Sequence, residues 1–506
     1  MSRNNAQPPL IIKLLAFMAG VIVVFSGAYL KNLLQETPEN PPSPSPTQTN
    51  NTPEPISDEV KNRISFGDKI FYQNNLLSEY IKIQDTASLK MKEKQYNEAY
   101  NSLNNLRDEY KTTGSNECAN PETLIYKNNA LIGNSEAYTI AVVVPIENSA
   151  DRALEMLRGV AQAQEEINYE PQNINGKKLR VIIANEKDND RQSTEIIADT
   201  LGRTEDILGV VGHLSSDATE VAAPIYRNYK LVSISPTSTK VNIAANNQYF
   251  FRIAHDNQAE ARALANYMLR TLQQRKASIL FNNSSVFSRS LSDEFAKAVV
   301  KDNRGQIYKK YDLDDNSLKG STILSESNQN DVSVFMFATS SRYLQDIAIK
   351  IYNPGFQKFY YLGGDATYNP KLLTEDVGER LRKIVIAIPW HHTFNSKESK
   401  KFVNDSYKLW CQPKNSEDKI IWRTATAYDA TKLLIEALKD NPSREGVKNS
   451  LSKLKNNFSY DQGVTGKIKF KPNGDRAGES KLVQMVSDQN SPEKYVFKCI
   501  QGCEGK

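Results

Sequence analysis

The sequence predicts an α/β protein: two doubly wound parallel-sheet lobes joined by a three-strand hinge, preceded by a transmembrane helix and a short all-α segment. Three observations carry this. From Tyr138 onward, short unbroken apolar runs alternate with amphipathic stretches of helical period. The alternation restarts near Ala263, giving two successive series. Ahead of both lie an uncharged apolar stretch and a proline-rich spacer. Strands covered on both faces read as continuous apolar runs, and helical crossovers between them make the sheets parallel.

Taking the chain in order, Leu14 to Leu30 are 17 residues without a charge, flanked by Lys13 and Lys31. That is about the shortest length that spans a bilayer, and Lys13 can snorkel to extend it. Arg3 and Lys13 precede the stretch while Glu36 and Glu39 follow it. The positive-inside rule then puts residues 1–13 in the cytoplasm and the bulk of the chain outside. The expected localisation is the inner (cytoplasmic) membrane, crossed once, with the bulk in the periplasm or extracytoplasmic space. A cleaved signal peptide, cut after Ser26–Ala28, is the other reading, and the length of the apolar stretch favours an uncleaved anchor. Residues 31–57 form a linker, within which ETPENPPSPSPTQTNNTPEPIS is too rich in proline and polar residues to bury a core.

Residues 58–134 read as helical. Tyr96, Ala99, Tyr100, Leu103 and Leu106 recur at spacings of three and four, one apolar face of a helix. NPETLIYKNNAL opens on Asn-Pro-Glu, a helix start. The segment resembles one degenerate tetratricopeptide-like hairpin. It serves either as a stalk packed on the main domain or as a partner-docking surface.

The domain from 135 to 506 holds the two lobes. The first series is TIAVVVPI, LRVIIAN, ILGVVG and KLVSIS as strands, with helices over ALEMLRGVAQAQEEIN, QSTEIIADTLGR and DATEVAAPIYRNY. The second has ASILFNN, VSVFMFA and FYYLGG as strands, with helices over ALANYMLRTLQQ, SLSDEFAKAVVKD and RYLQDIAIKIYN. Lobe 1 is expected at about 138–255 and 390–465, and lobe 2 at about 256–388 and 470–506.

Composition narrows the function. The chain is 39% hydrophobic and 24% charged, enough for a sizeable core. Its net charge of +5 is the small difference between 64 cationic and 59 acidic residues that mix along helix faces. No basic run suited to nucleic acid is present, so none is expected as a partner. Of four cysteines, Cys499 and Cys503 sit close enough to close a small loop, while Cys118 and Cys411 can pair or stay free. One close pair is too few for a thiolate zinc site, and neither metal nor cofactor is expected. The pair His391-His392 would point to opposite faces of an extended strand. Glu186, Asp188 and Asp190 read as a solvated loop. Neither a nucleophile elbow, a P-loop nor a dinucleotide-binding turn occurs, so no enzyme activity is expected.

In open parallel sheets, ligands bind beyond the carboxyl ends of the strands. After ILGVVG come His213, Leu214, Ser215, Ser216 and Asp217, leading into a helix whose first turn offers free N–H groups and a positive dipole end. After KLVSIS come Thr237, Ser238 and Thr239, a second hydroxyl cluster. In the second lobe, Phe287 and Thr339 follow strands, and Asp365 follows FYYLGG. A carboxylate there suits a ligand ammonium. Hydroxyls on one lobe and a carboxylate on the other describe a clamp for a zwitterion.

GVVGHLSSDATEVAAPIY, LVSISPTSTKVN and YFFRIAHDNQAEARALANYM together resemble the branched-chain amino acid binding proteins of ATP-driven uptake systems, with the type I periplasmic binding protein fold. The resemblance covers roughly residues 138–506 and rests on the order and spacing of these blocks. It implies that Ser216 holds the ligand carboxylate with Thr239 and backbone around Thr237, and that Asp365 holds the α-ammonium. It also implies hinge crossovers near 254–257, 388–392 and 467–473. Phe287-Ser288 stands where the family commonly has Tyr-Gly, and Asp365 is a methylene shorter than the usual Glu. Charges at Glu147, Asp151 and Arg152 lean away from a branched aliphatic ligand. The expected function is capture of an amino acid or similar zwitterion by hinge closure, for an ABC permease or, alternatively, for a membrane-embedded sensor partner.

Overall fold

A computed structural model of the chain describes residues 60–504, apart from 61, 74–76, 114–117, 119, 244, 341–358, 382, 412–419, 457, 490 and 492–493. The expected anchor at 14–30, the linker at 31–57 and the expected helix at 342–353 lie outside the described residues. Among the described residues no helix is long and apolar enough to cross a membrane.

A short strand β1 (Ile64–Ser65) leads into helices α1 (Ser78–Lys92), α2 (Tyr96–Thr113) and α3 (Pro121–Ile132). The first lobe follows as β2 (Ala137–Val144), α4 (Ile146–Tyr169), β3 (Lys178–Asn185), α5 (Arg191–Arg203), β4 (Ile207–Val211), α6 (Ser216–Asn228), β5 (Ser233–Ser235) and β6 (Phe250–Arg252). The second lobe runs α7 (Asn257–Asn266), β7 (Lys276–Phe281), α8 (Val286–Val300), β8 (Gln306–Asp312), α9 (Gly320–Gln329), β9 (Val334–Ala338), β10 (Tyr360–Gly363), α10 (Glu375–Arg380) and β11 (Val385–Ile388). The chain then returns through α11 (Lys397–Leu409), α12 (Trp422–Asp440) and α13 (Arg444–Lys453), with α12 packed along α4 of the first lobe. It ends on β12 (Lys481–Ser487) and β13 (Tyr495–Gln501) in the second sheet.

Among the described residues the first sheet has the order β1-β3-β2-β4-β5-β6 and the second β13-β12-β11-β10-β9-β7-β8. The reason the strands read as unbroken apolar runs is visible in β2. Val142 and Val144 pack with Met156, Leu157 and Val160 of α4 on one face, while Ala141 and Val143 pack with Ile197, Leu201 and Tyr226 on the other. In β9, Phe335 and Phe337 face one core and Val334, Met336 and Ala338 the other. Each such Val, Leu, Ile, Phe or Met side chain removed from water contributes about 1.5–3 kcal/mol.

The sheets are mixed where purely parallel ones were expected. β1 runs antiparallel to β3, and β12 and β13 form an antiparallel extension on β11. The expectation followed crossover helices between consecutive strands, and between β12 and β13 there is none among the described residues. β8 was also missed, because an edge strand with Lys309 and Lys310 exposed carries no apolar run.

The helical segment packs on the first lobe. Asn120 caps α3 through the N–H groups of Glu122 and Thr123, with Pro121 at the first helical position. α3 is buried along nearly its whole length. Asn129 reaches into the sheet edge, donating to Val181 O at 2.8 Å and accepting from Val181 N at 3.2 Å. Arg107 of α2 donates to Leu409 O at 3.0 Å and lies over the Trp410 ring. Cys118 is bonded to Cys411, and Cys499 to Cys503.

The lobes are joined by segments between β6 and α7, between β11 and α11, and before β12. The first and third are tied by Arg252–Asp475 and Lys471–Asp256, both at 2.6 Å. Buried Arg476 donates to Thr465 Oγ1, Gly466 O and Lys467 O. His391 and His392 do not diverge as expected of a strand. β11 stops at Ile388, Pro389 follows, and in the turn beyond it the two rings lie 4.2 Å apart.

Candidate functional site

A cavity of about 610 Å³ lies between the carboxyl ends of the two sheets, lined from both lobes. From the first lobe come the loop 214–217, Thr237 and the start of α12; from the second come Asn282, the loop 284–288, Ser340 and Asp365.

α6 begins at the cavity. Ser215 caps it by accepting from Ala218 N at 3.1 Å. Ser216 Oγ accepts from Thr239 N and from Lys240 N, both at 3.2 Å. A hydroxyl has two acceptor sites and one proton, so Ser216 keeps its proton for an outside acceptor. With the unsatisfied N–H groups of the helix start beside it, that corner suits an anion. Thr237 also lines the cavity, and its hydroxyl is spent on Leu214 O at 2.6 Å.

Ser238, Thr239 and Thr339 stand outside the cavity lining. Ser238 Oγ is buried against Thr219 Oγ1 at 2.6 Å and Ser215 O at 3.1 Å, tying the two hydroxyl loops together. Thr239 Oγ1 is buried and, among the described residues, has no hydrogen-bond partner. Thr339 Oγ1 donates to Asn282 Oδ1 and so fixes a residue that does reach the cavity. Phe287 lines the wall, and its carbonyl accepts from Asn257 Nδ2 at 3.1 Å.

Asp365 lies on the second-lobe wall with 2% of its surface exposed. Burial raises its carboxyl to about 7, against the opposing charge of Arg423. Its backbone N–H donates to Glu260 Oε2 at 3.2 Å. Glu260 is itself pushed well above the usual carboxylate range, by burial first and by Asp365 second.

Several lining residues were not singled out from the sequence. Asp217 bridges the lobes, accepting from Val286 N at 3.1 Å and Ser285 Oγ at 3.3 Å. Arg423 opens α12, pairs with Glu155 at 3.0 Å and lies over the Trp422 ring at 4.4 Å. The available signal was an arginine at the head of an otherwise buried helix. Of the charges expected near the pocket, Arg152 lines it and pairs with Asp188 at 3.2 Å, whereas Glu147 pairs with Arg63. The acidic trio is not one solvated loop. Asp190 caps α5, while Glu186 is buried and meets His213 Nδ1 at 2.7 Å, whose Nε2 lies 3.0 Å from Tyr226 OH. This hidden network backs the loop that carries Ser215 and Ser216. Among the described residues no cluster of His, Cys, Asp and Glu is arranged to hold a metal ion.

Comparison with known proteins agrees with this architecture. A leucine binding protein from Thermotoga maritima superposes with a TM-score of 0.61 at 20% identity, covering 72% of this chain and 98% of that one. A solute binding protein of an ABC transporter from R. palustris, solved in complex with 4-hydroxybenzoate, gives 0.62 at 11% identity, covering 72% and 96%. An amino acid binding protein of Pseudomonas aeruginosa is 25% identical over 137 residues, which is 27% of this chain and 36% of that relative's length. Residues 155–488, well over half of the chain, match the receptor family ligand binding region. With two α/β lobes closing on one polar cavity, the chain belongs to that family, the receptor family ligand binding region.

Proposed function

We infer that the chain is a membrane-tethered, extracytoplasmic solute-binding protein that captures an amino acid or similar small zwitterion and presents it to an ABC permease, releasing it unchanged. The observation that carries this reading is that one cavity is lined by an anion-receiving helix start at Ser216 on one lobe and by the Asp365 carboxylate on the other. In this reading Ser216 and backbone around Thr237 take the ligand carboxylate, and the hydroxyl of Thr239, unpartnered among the described residues and outside the lining, turns toward it when ligand binds. Asp365 takes the ammonium, and Phe287 forms a wall. Arg152, Asp188 and Arg423 on the lining favour a polar side chain over a branched aliphatic one. The apolar stretch at 14–30 and the spacer at 31–57 would hold the protein at the inner membrane, raising its effective concentration near a permease.

The test is a thermal-shift screen of the protein against amino acids, short amides and aromatic acids. A ligand at one hundred times its dissociation constant adds about 2.7 kcal/mol, and Asp365→Ala should abolish the shift. No shift with any amino acid would remove the assignment.

A second reading, sensing without transport, is favoured by the attachment of the helical segment to the first lobe through Cys118–Cys411 and Arg107. Lobe closure then has a rigid route to a membrane partner. Ligand uptake by cells lacking the protein discriminates: it fails under the first reading and continues under the second.

A further inference from the structure

Glu260 and Asp365 come from separate elements of the second lobe. Glu260 sits in the first turn of α7, whose cap is Asp256 accepting from Ala259 N at 2.9 Å. Asp365 follows β10 across Gly363-Gly364. A Cβ at Gly364 would come within 3.0 Å of Glu260 Oε2, so a glycine there lets the two acids approach. Both side chains are buried, and among the described residues Glu260 Oε1 and Asp365 Oδ2 have no hydrogen-bond partner. Asp365 reaches the cavity, while Glu260 stands behind it.

The charged groups around this pair are already engaged. Asp256, on the same helix, is held by Lys471 at 2.6 Å. Arg423, from the first lobe, is held by Glu155 at 3.0 Å. On β12, which packs on α7, Lys481 lies over the Phe394 ring. On α8, Glu294 pairs with Lys297, Asp293 with Lys310, and Arg289 donates to Asn283 O. With Glu260 Oε2 held 3.2 Å from the Asp365 backbone N–H and the nearest cation, Arg423, shared with Glu155, ionising both buried carboxyls at once is disfavoured.

Resting on the reading of Asp365 as the ammonium site, we propose that the Glu260–Asp365 pair holds one proton while the cleft is empty and releases it to solvent when an ammonium ligand binds. Binding is then an exchange of one positive charge for another, and the buried pair carries the same net charge before and after. Glu260 acts through Asp365 as a specificity-determining residue. A zwitterion can replace the proton, whereas an aromatic acid or a neutral amide cannot. Burial shifts both carboxyls upward, the direction that a shared proton requires.

The test titrates the full-length protein with L-leucine and the other amino acids at about pH 6, in two buffers of different protonation enthalpy. The expected result is release of close to one proton per amino acid bound. Affinity should fall about tenfold for each pH unit below the pair's midpoint. Glu260→Gln, which leaves the buried Asp365 alone, should weaken both effects. Equal heats in the two buffers, or unchanged release from Glu260→Gln, overturn the exchange. A ligand-free readout stands beside it: melting of wild type and Glu260→Gln from about pH 5 to about pH 8. A pair whose titration is raised in the fold costs stability as pH rises, so wild type should lose ground to Glu260→Gln across that range. Should Glu260→Gln not fold, Asp365→Asn takes its place. A gap that does not change with pH overturns the shared proton. If no amino acid binds, the proposed function and the exchange fail together, while the melts still decide whether the pair holds a proton.

Discussion

Asp217, in the first turn of α6 on the first lobe, accepts a hydrogen bond at 3.1 Å from the backbone N–H of Val286, the first residue of α8 on the second lobe. A carboxylate facing the start of a helix gains both a charge-assisted hydrogen bond and the favourable end of the helix dipole. Because the two partners sit on different lobes, that gain exists only while the cleft is shut. Asp217 is therefore a latch beside the ligand cavity.

Removing the latch should shift the population toward the open form without touching either lobe's core. For Asp217→Ala the loss is about 1–2 kcal/mol, or about tenfold in apparent ligand affinity, since affinity scales with the closed fraction. Small-angle scattering of the unliganded protein should show a larger radius of gyration. Unchanged scattering together with unchanged affinity would remove Asp217 from this role.

The two hydroxyls assigned to the ligand carboxylate should part company when deleted. Ser216→Ala strips the acceptor from the N–H groups of Thr239 and Lys240, so it should lower stability by about 1–3 kcal/mol as well as ligand affinity. Thr239→Val removes a hydroxyl that has no protein partner among the described residues. It should leave unliganded stability unchanged or higher and still cost about tenfold in affinity. Denaturant unfolding and ligand titration on both variants separate these outcomes, and a Thr239→Val protein with full affinity excludes that hydroxyl from the site.

The contrast between Ser216 and Glu260 marks what the sequence could reveal. Ser216 is local: an apolar strand, a hydroxyl loop and a helix follow one another within a dozen residues, and the place of such loops in parallel sheets is general. Glu260 is legible only after α7 and β10 are brought together, because its partner lies 105 residues away. Arg423 depends likewise on Glu155, 268 residues distant. Of the strands not read from the sequence, β1, β6, β8 and the β12–β13 pair are edge or antiparallel elements, which need no unbroken apolar run, whereas β11 is a buried apolar run inside the second sheet that the hinge expected near 388–392 overshadowed. Long-range pairing of charges, rather than local pattern, is what periodicity does not encode.

Cys118–Cys411 should matter more to stability than Cys499–Cys503. The first closes a separation of 293 residues and holds the helical segment against the first lobe, whereas the second closes a separation of 4. In the loop-entropy account a closure of this length contributes about 5–6 kcal/mol, of which measurements commonly recover less. Replacing Cys118 and Cys411 together with serine should lower the unfolding free energy by about 2–4 kcal/mol and expose α1 and α2 to proteases. The matching change at Cys499 and Cys503 should do neither.

His255 makes the hinge sensitive to acid. Burial, followed by the charges of Lys481, Arg476, Lys471 and Arg252, holds its imidazole well below the usual histidine range. The folded protein thus keeps His255 neutral, while the unfolded chain takes up a proton as pH falls below about 6.5. A depressed group contributes stability that is present above that pH and is lost on the way down. In the folded state the proton would have to enter among those four cations, so little relief comes from protonation in place. His255→Asn keeps a polar side chain of similar reach and removes the titration. His391 and His392 are shifted in the same direction and remain in the variant, so they cancel from the comparison. Urea midpoints of the two proteins should therefore converge, or cross in favour of the variant, as pH is lowered from about 7.5 to about 5.5. Parallel curves would mean that His255 takes its proton without cost, and that the cations around it are farther away in effect than their burial implies.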